Sequence, residues 1–435
     1  MTVTLPDVLA IILLIAGILA LMVAVHIAGK RWELTAEARR KLVHVATGSA
    51  ALTFPLVFSS ALPVFILTAL AAGIMMVLRN RQTATDGLGS VLHDVKRRSY
   101  GEIYLAVAIA YIFYRAEGAP VLFVLPVLVI TLSDTASALI GTSYGRKRFA
   151  VADGSKSLEG VVAFFVVTWL CAMITLLLMT DAPRVNVILL SLLIAAFCAL
   201  VEADSWAGLD NLFVPIGAHL LLATHLEMAP IDLAVVAVVF LAALTVMLLF
   251  APYLNLSAHS ARAYTVLLFL IFSMVAPQNM LMPILAIGAQ ICARSQRPAK
   301  DSQADLNFLA LSAGVGMMWL LAGEFLGQSG INLFNLTFAA AALIYFGLAM
   351  LTPWRPLLLV GIPVLGVVLL KIGDINGRFG PSIVPDWVVV AVALTVPVLV
   401  VLVKPEAFSK MRSPKVFVLA LIVPLAAYVK GAAGL

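Results

Sequence analysis

Residues 7–28 contain no Lys, Arg or Glu and form an apolar run longer than the ~20 residues a helix needs to cross the hydrocarbon of a bilayer. Fifteen further apolar windows follow, near 42–58, 61–78, 102–114, 120–140, 158–180, 185–201, 212–225, 231–251, 263–276, 279–293, 306–326, 332–351, 357–370, 387–403 and 416–430. No water-facing fold can hide such a series, because 63% of the 435 residues are apolar and 11% charged, against roughly half and a quarter in a soluble domain. The expected fold is all-α, a polytopic transmembrane helical bundle of about 14–16 spans. A soluble enzyme, a disordered chain and a collagen-like or coiled-coil rod are excluded. The net charge of +6 is ordinary for such a protein and does not point to nucleic acid.

The first run lacks a positive leading region and a small-residue cleavage site, so it reads as a retained span rather than a cleaved signal. With loops assigned alternately to two faces, 23 of the 28 Lys and Arg fall on one face. By the positive-inside rule that face is cytoplasmic and the N-terminus lies outside, in a cytoplasmic (inner) membrane. The long polar loops lie before about residue 225. The expected organisation is therefore a first span over 1–29, a catalytic module over 30–225, and a further helical domain of unknown role over 226–435. Cys171, Cys198 and Cys292 sit in apolar stretches without CxxC spacing and read as small buried hydrophobes.

Four polar segments at membrane edges carry the chemistry. In RRKLVHVATG, Arg40, Lys41 and His44 fall near one helix face at the membrane entrance, where they suit a phosphate; a stop-transfer cluster with a snorkelling lysine is the structural alternative. The run from Ser133 to Gly160 places Asp134 near the end of an apolar span, where an ionisable group costs about 2.5–3.5 kcal/mol and calls for a function such as metal binding. Gly141 and Gly145 permit close backbone approach or positive φ, and Arg146, Lys147, Arg148 and Lys156 supply cations for phosphate oxygens. Ser157 or Ser155 caps the following helix, whose first amides also favour an anion; Glu159 opens that helix. Neither a Walker A loop nor GxGxxG is present.

The third segment, VEADSWAGLDNLFVP, offers Glu202, Asp204, Asp210 and Asn211 without a single Lys or Arg. Such oxygens beside cation-rich loops suit a magnesium nucleotide, although a hydrophilic turn with an ordinary helix cap has the same composition. The fourth, KRRSYGEIYL from Lys96 to Leu105, puts Glu102 at a helix start, as a helix N-terminal charge or as part of the site wall.

Together these segments resemble the CTP-dependent polyprenol kinase family of integral membrane enzymes. The matching residues are Arg40, Lys41, Leu42, His44 and Gly48; SYGEIY (Ser99 to Tyr104); DTASALIGTSYGRKRF with KSLEG; and Gly208 to Pro215, in family order over about residues 33–220. The resemblance implies transfer of the γ-phosphate of CTP to the hydroxyl of a lipid alcohol, an isoprenoid alcohol of the phytol, geranylgeraniol or polyprenol type or diacylglycerol, with Mg²⁺ as cofactor. Carried onto this chain, it implies that Asp134 binds metal and that Arg146, Lys147 and Lys156 hold phosphates. Glu159, Glu202 and Asp210 become candidates for metal binding or the base, and Arg40, Lys41 and His44 close the pocket near the headgroup. The implied partners are the lipid alcohol, CTP and membrane lipids, with room for a homo-oligomer and none for nucleic acid. A CTP:phosphatidate cytidylyltransferase shares the Asp, Gly, basic and Lys-x-x-Glu-Gly region, but EADSWAGLDNLFVP departs from that family's ending. A transporter or scaffold is the alternative of another class, favoured by Gln278, Asn279, Glu324, Asn332 and Asn335 at membrane edges. The one-sided clustering of acids and bases in the first half argues against it, since a transport site belongs near the bilayer midplane.

Overall fold

The computed structural model describes residues 3–80, 100–116, 118–151, 154–298, 300, 303–326, 328–377 and 386–432. The basic loop carrying Lys96 and Ser99 lies outside them, as does Arg378. The described chain is almost wholly helical and forms two compact units, Met1–Leu244 and Thr245–Leu435.

The first unit begins with α1 (Leu5–Arg31). Thr4 and Asp7 close its N-terminus reciprocally: the Thr4 side chain accepts from the Asp7 amide, and the Asp7 carboxylate takes the Thr4 amide. Thr35 caps α2 (Ala36–Ala51) in the same manner, through the Ala38 amide. A short turn, α3 (Phe54–Val57), starts at the Phe54–Pro55 step and precedes α4 (Ala61–Asn80) and α5 (Gly101–Arg115). The next apolar window is a single span with an interruption: α6 (Pro120–Leu128), a π-helical segment over Val129–Ser133, and α7 (Asp134–Tyr144).

The stretch after Gly145, read from sequence as a loop, folds into an antiparallel hairpin of β1 (Arg148–Val151) and β2 (Gly154–Ser157), which pairs Phe149 with Lys156. Ser157 then caps α8 (Leu158–Met179) through the Gly160 amide at 3.1 Å. The unit continues through α9 (Arg184–Asp204) and α10 (Asp210–His225) into α11 (Pro230–Phe250), and the division between the units falls within α11. Helix α9 packs on α8 and α10, and α10 on α5 and α6, so the α9–α10 pair sits inside the unit.

The second unit contains α12 (Ala258–Met274), α13 (Leu281–Gln296), α14 (Ala304–Leu326), α15 (Gln328–Ala349), α16 (Leu358–Asn376), α17 (Asp386–Val403) and α18 (Arg412–Ala432). Helix α15 is its hub and touches α13, α14, α16, α17 and α18. Its run of small residues Ala339–Ala342 is fully buried, which permits that many neighbours. Near one end of α15 an amide network joins helices: Asn335 donates to Asn279 Oδ1 at 2.6 Å, Asn376 donates to Asn279 Oδ1 at 2.7 Å and to Asn332 Oδ1 at 3.0 Å, and Gln278 donates to Asn376 Oδ1 at 3.0 Å.

Ten described segments are long and apolar enough to cross a membrane, and the protein is a multi-pass membrane protein. Of the other six windows, those near 61–78 and 263–276 fall on α4 and α12, which carry shorter apolar stretches, and those near 42–58, 102–114, 212–225 and 279–293 fall on α2, α5, α10 and α13, of 16, 15, 16 and 16 residues. Three of these shorter helices, α2, α5 and α10, start at the polar segments identified in the sequence. Helices enclosed by protein need not span lipid alone, because their neighbours shield the polar ends.

Candidate active site

Three carboxylates from separate elements converge. Asp134 opens α7, Glu202 lies in the last turn of α9, and Asp210 opens α10; one oxygen from each lies within 4.8 Å of the others. Local backbone geometry produces each placement. The π segment widens the helix just ahead of Asp134, a feature that commonly re-aims side chains at functional sites. Between α9 and α10 the chain reverses within five residues, with Ala207 at φ 53° and Gly208 at φ 84°. Gly208 takes this left-handed conformation without a Cβ penalty, and the reversal brings Asp210 back to Glu202. The Tyr100 amide donates to the Ala207 carbonyl at 3.2 Å and ties the start of α5 to the same turn.

Each of two carboxylates has a buried or half-buried lysine. Lys41 Nζ is 2.5 Å from Asp134 Oδ2. Lys156 Nζ is 2.9 Å from Glu202 Oε1 and also donates to the Glu202 backbone carbonyl. His44 Nε2 is 3.0 Å from the Ile130 carbonyl of the π segment and 3.4 Å from Asp134 Oδ2, so Nε2 carries a proton and donates to that carbonyl. Arg40 pairs with Glu37 at 2.9 Å. Burial works against the charged form of Lys156, but the Glu202, Asp210 and Asp134 carboxylates outweigh it and hold the lysine above its ordinary value.

The structure thus brings Arg40, Lys41, His44, Asp134, Lys156, Glu202 and Asp210 to one region, and it separates the other residues singled out in the sequence. The Glu159 carboxylate accepts from the Lys147 amide at 3.1 Å and braces the hairpin against α8, outside the carboxylate cluster. Arg146, Lys147 and Arg148 are exposed. Gly145 has φ −67°, so positive φ is not its role. A Cβ there would lie 2.3 Å from the Gly141 carbonyl and 2.6 Å from Ser157 Cβ, and a Cβ on Gly160 would lie 2.9 Å from the Ser137 carbonyl. These glycines let the end of α7 pack against the start of α8 around the Ser157 cap.

A cavity opens from the acid and base cluster into the apolar interior, enclosing about 980 Å³ including its mouth. It lies between α2, which packs on α1, and α4, which packs on α5. Arg40, Lys41, His44, Glu102, Asp134 and Asn211 form its polar end, and Ile18, Leu67, Met75, Leu105 and Ile109 are among its apolar walls. Sequence reasoning did not find those walls, because generic Leu, Ile and Met carry no local signal.

The donor set suits a hard divalent cation, which takes oxygen ligands. Besides the three converging carboxylates, Glu202 Oε2 and Asn211 Oδ1 are buried and lack a hydrogen-bond partner among the described residues. Such orphaned buried oxygens are costly unless something else satisfies them.

The fold and site therefore define a multi-pass helical membrane protein in which a buried cluster of acids and bases meets an apolar cavity. The chain is 31% identical over 191 residues to phytol kinase of Synechocystis sp., an alignment that covers 43% of this chain and 78% of that protein. It belongs to the phytol kinase family. No protein-family model matches the chain, and no solved structure does.

Proposed function

We propose that this protein is a lipid-alcohol kinase that transfers the γ-phosphate of CTP to the primary hydroxyl of an isoprenoid alcohol. The observation that carries the reading is the junction of an apolar cavity, headed by Lys41, His44, Asp134 and Asn211, with the carboxylate cluster of Asp134, Glu202 and Asp210. A hydroxyl at the head of an apolar tail fits such a junction, and the similarity to a phytol kinase supports the same chemistry.

Phosphoryl transfer asks mainly for positioning and charge neutralisation. The hydroxyl oxygen bonds to the γ-phosphorus as the bridging P–O bond breaks, CDP leaves, and the hydroxyl proton passes to a carboxylate of the cluster. Lys41 and Lys156, each tied to a carboxylate, neutralise phosphate oxygens on either side of the reacting centre, and Arg40 lies at the cavity mouth for the same purpose. His44, fixed on the Ile130 carbonyl, orients Asp134. Asp134, Glu202 and Asp210 would hold Mg²⁺, whose charge supports the triphosphate when bound. The exposed Arg146 and Lys147 guide the nucleotide from the aqueous side. In this reading the site faces the cytoplasm, and the N-terminus lies across an inner membrane.

Purified protein in detergent, given Mg²⁺, CTP labelled at the γ position and isoprenoid alcohols, should place the label in an organic-phase phosphate ester and leave CDP. Label released as pyrophosphate with phosphatidate would instead define a nucleotidyl transferase.

A further inference from the structure

The cavity runs along one face of α2 as far as Phe54. On α2 the lining residues Lys41, His44, Thr47 and Ala51 follow one helix face, which runs about 15 Å at 1.5 Å per residue. An extended isoprenoid takes about 5 Å per unit at ordinary carbon–carbon bond lengths, so about three units lie along that face. Beyond Ala51 the cavity meets Phe54, the first residue of α3, which is buried. Its ring packs edge-on to Phe58 at 5.5 Å and stacks on Phe123 at 6.4 Å, and Phe123 meets Phe113 edge-on at 5.4 Å. A ring held by that many aromatic contacts cannot swing aside without disturbing a close-packed core.

We propose that the tail of the acceptor lies along α2, with its hydroxyl at Lys41 and Asp134, and that Phe54 is the stop that sets the longest tail accepted. The inference rests on the kinase reading and adds a specificity-determining residue to it. Ala51, one turn before Phe54, controls the same end of the cavity: its small side chain leaves the room that the last isoprene unit takes.

The test is a length series from geraniol through farnesol and geranylgeraniol to solanesol, phosphorylated by the full chain in detergent micelles with Mg²⁺ and γ-labelled CTP. For the native protein kcat/KM should fall about tenfold or more past the preferred length, the scale on which a filled pocket discriminates. Phe54→Ala should shift the optimum to longer alcohols by about one unit, and Phe54→Leu should do so partially if the alanine variant fails to fold. Ala51→Leu should shift it to shorter ones. An unchanged length profile in Phe54→Leu and Ala51→Leu would overturn the role of Phe54 alone. Failure of the native protein to phosphorylate any alcohol would overturn the kinase reading and this inference with it.

Discussion

Lys41 Nζ stands 2.5 Å from Asp134 Oδ2, and both side chains are buried. The contact joins α2 to the residue that follows the π segment and sets a positive charge directly against a negative one. Removing one member of a buried ion pair strands the other and costs about 3–5 kcal/mol. Lys41→Met should therefore destabilise the protein by that amount, read as a lowered thermal midpoint in detergent. Lys41→Met combined with Asp134→Asn should recover most of the stability and none of the activity.

Asp134, Glu202 and Asp210 come from three helices and share one small volume. Glu202→Gln and Asp210→Asn should each lower turnover by about 10²–10³-fold, the range for loss of one pre-organised electrostatic group. They should also raise the Mg²⁺ concentration needed for half-maximal activity. Glu159→Gln should leave that Mg²⁺ requirement unchanged, because its carboxylate holds the Lys147 amide. A magnesium titration of the three variants separates these outcomes.

Lys156 is held above its ordinary value despite burial, by Glu202, Asp210 and Asp134. Protonation is thus favoured by folding, so its stabilisation is complete below the unfolded lysine value of about 10.4 and is lost as pH rises through the still higher folded value. The contribution of Lys156 to the native thermal midpoint should be lost only above about pH 10.5, read as an alkaline fall that is smaller in Lys156→Met. Any alkaline fall in activity below that range has another source.

Gly145→Ala would force a Cβ to 2.3 Å from the Gly141 carbonyl and should cost about 1–3 kcal/mol as overpacking. Gly17→Ala meets nothing within 4 Å and serves as the matched control. Comparison of their thermal midpoints reports whether the α7–α8 contact is as tight as the geometry requires.

Much of the site was legible in the sequence because acids in apolar surroundings are few. Asp134, Glu202 and Asp210 stood out by their position at span ends, and the structure places them together. Arg40, Lys41 and His44 were legible through helical spacing, and Lys41 and His44 do point to Asp134. The basic triplet was not separable from Lys156 by sequence. A hairpin of four-residue strands decides which cation turns inward, and its pairing depends on register that composition does not encode. The glycines gave a true signal of close approach, but the approaching group is the Ser157 cap and the neighbouring helix. The π segment left no sequence mark, since VITLS reads like any buried helical stretch.

That segment sets the phase between the two halves of one span. Upstream, α6 packs on α10 and α8; downstream, α7 packs on α8 and α2, and the winding over Val129–Ser133 sets which side chains of the second half face α2. Rewinding that segment as regular α-helix with all its residues kept would turn everything beyond it by about 100°, carrying Asp134 away from Lys41, whereas loss of one residue there would straighten the rod and leave the downstream phase in place. The winding of the chain between Pro120 and Asp134 is consequently as much a part of the site as the identity of any residue in it.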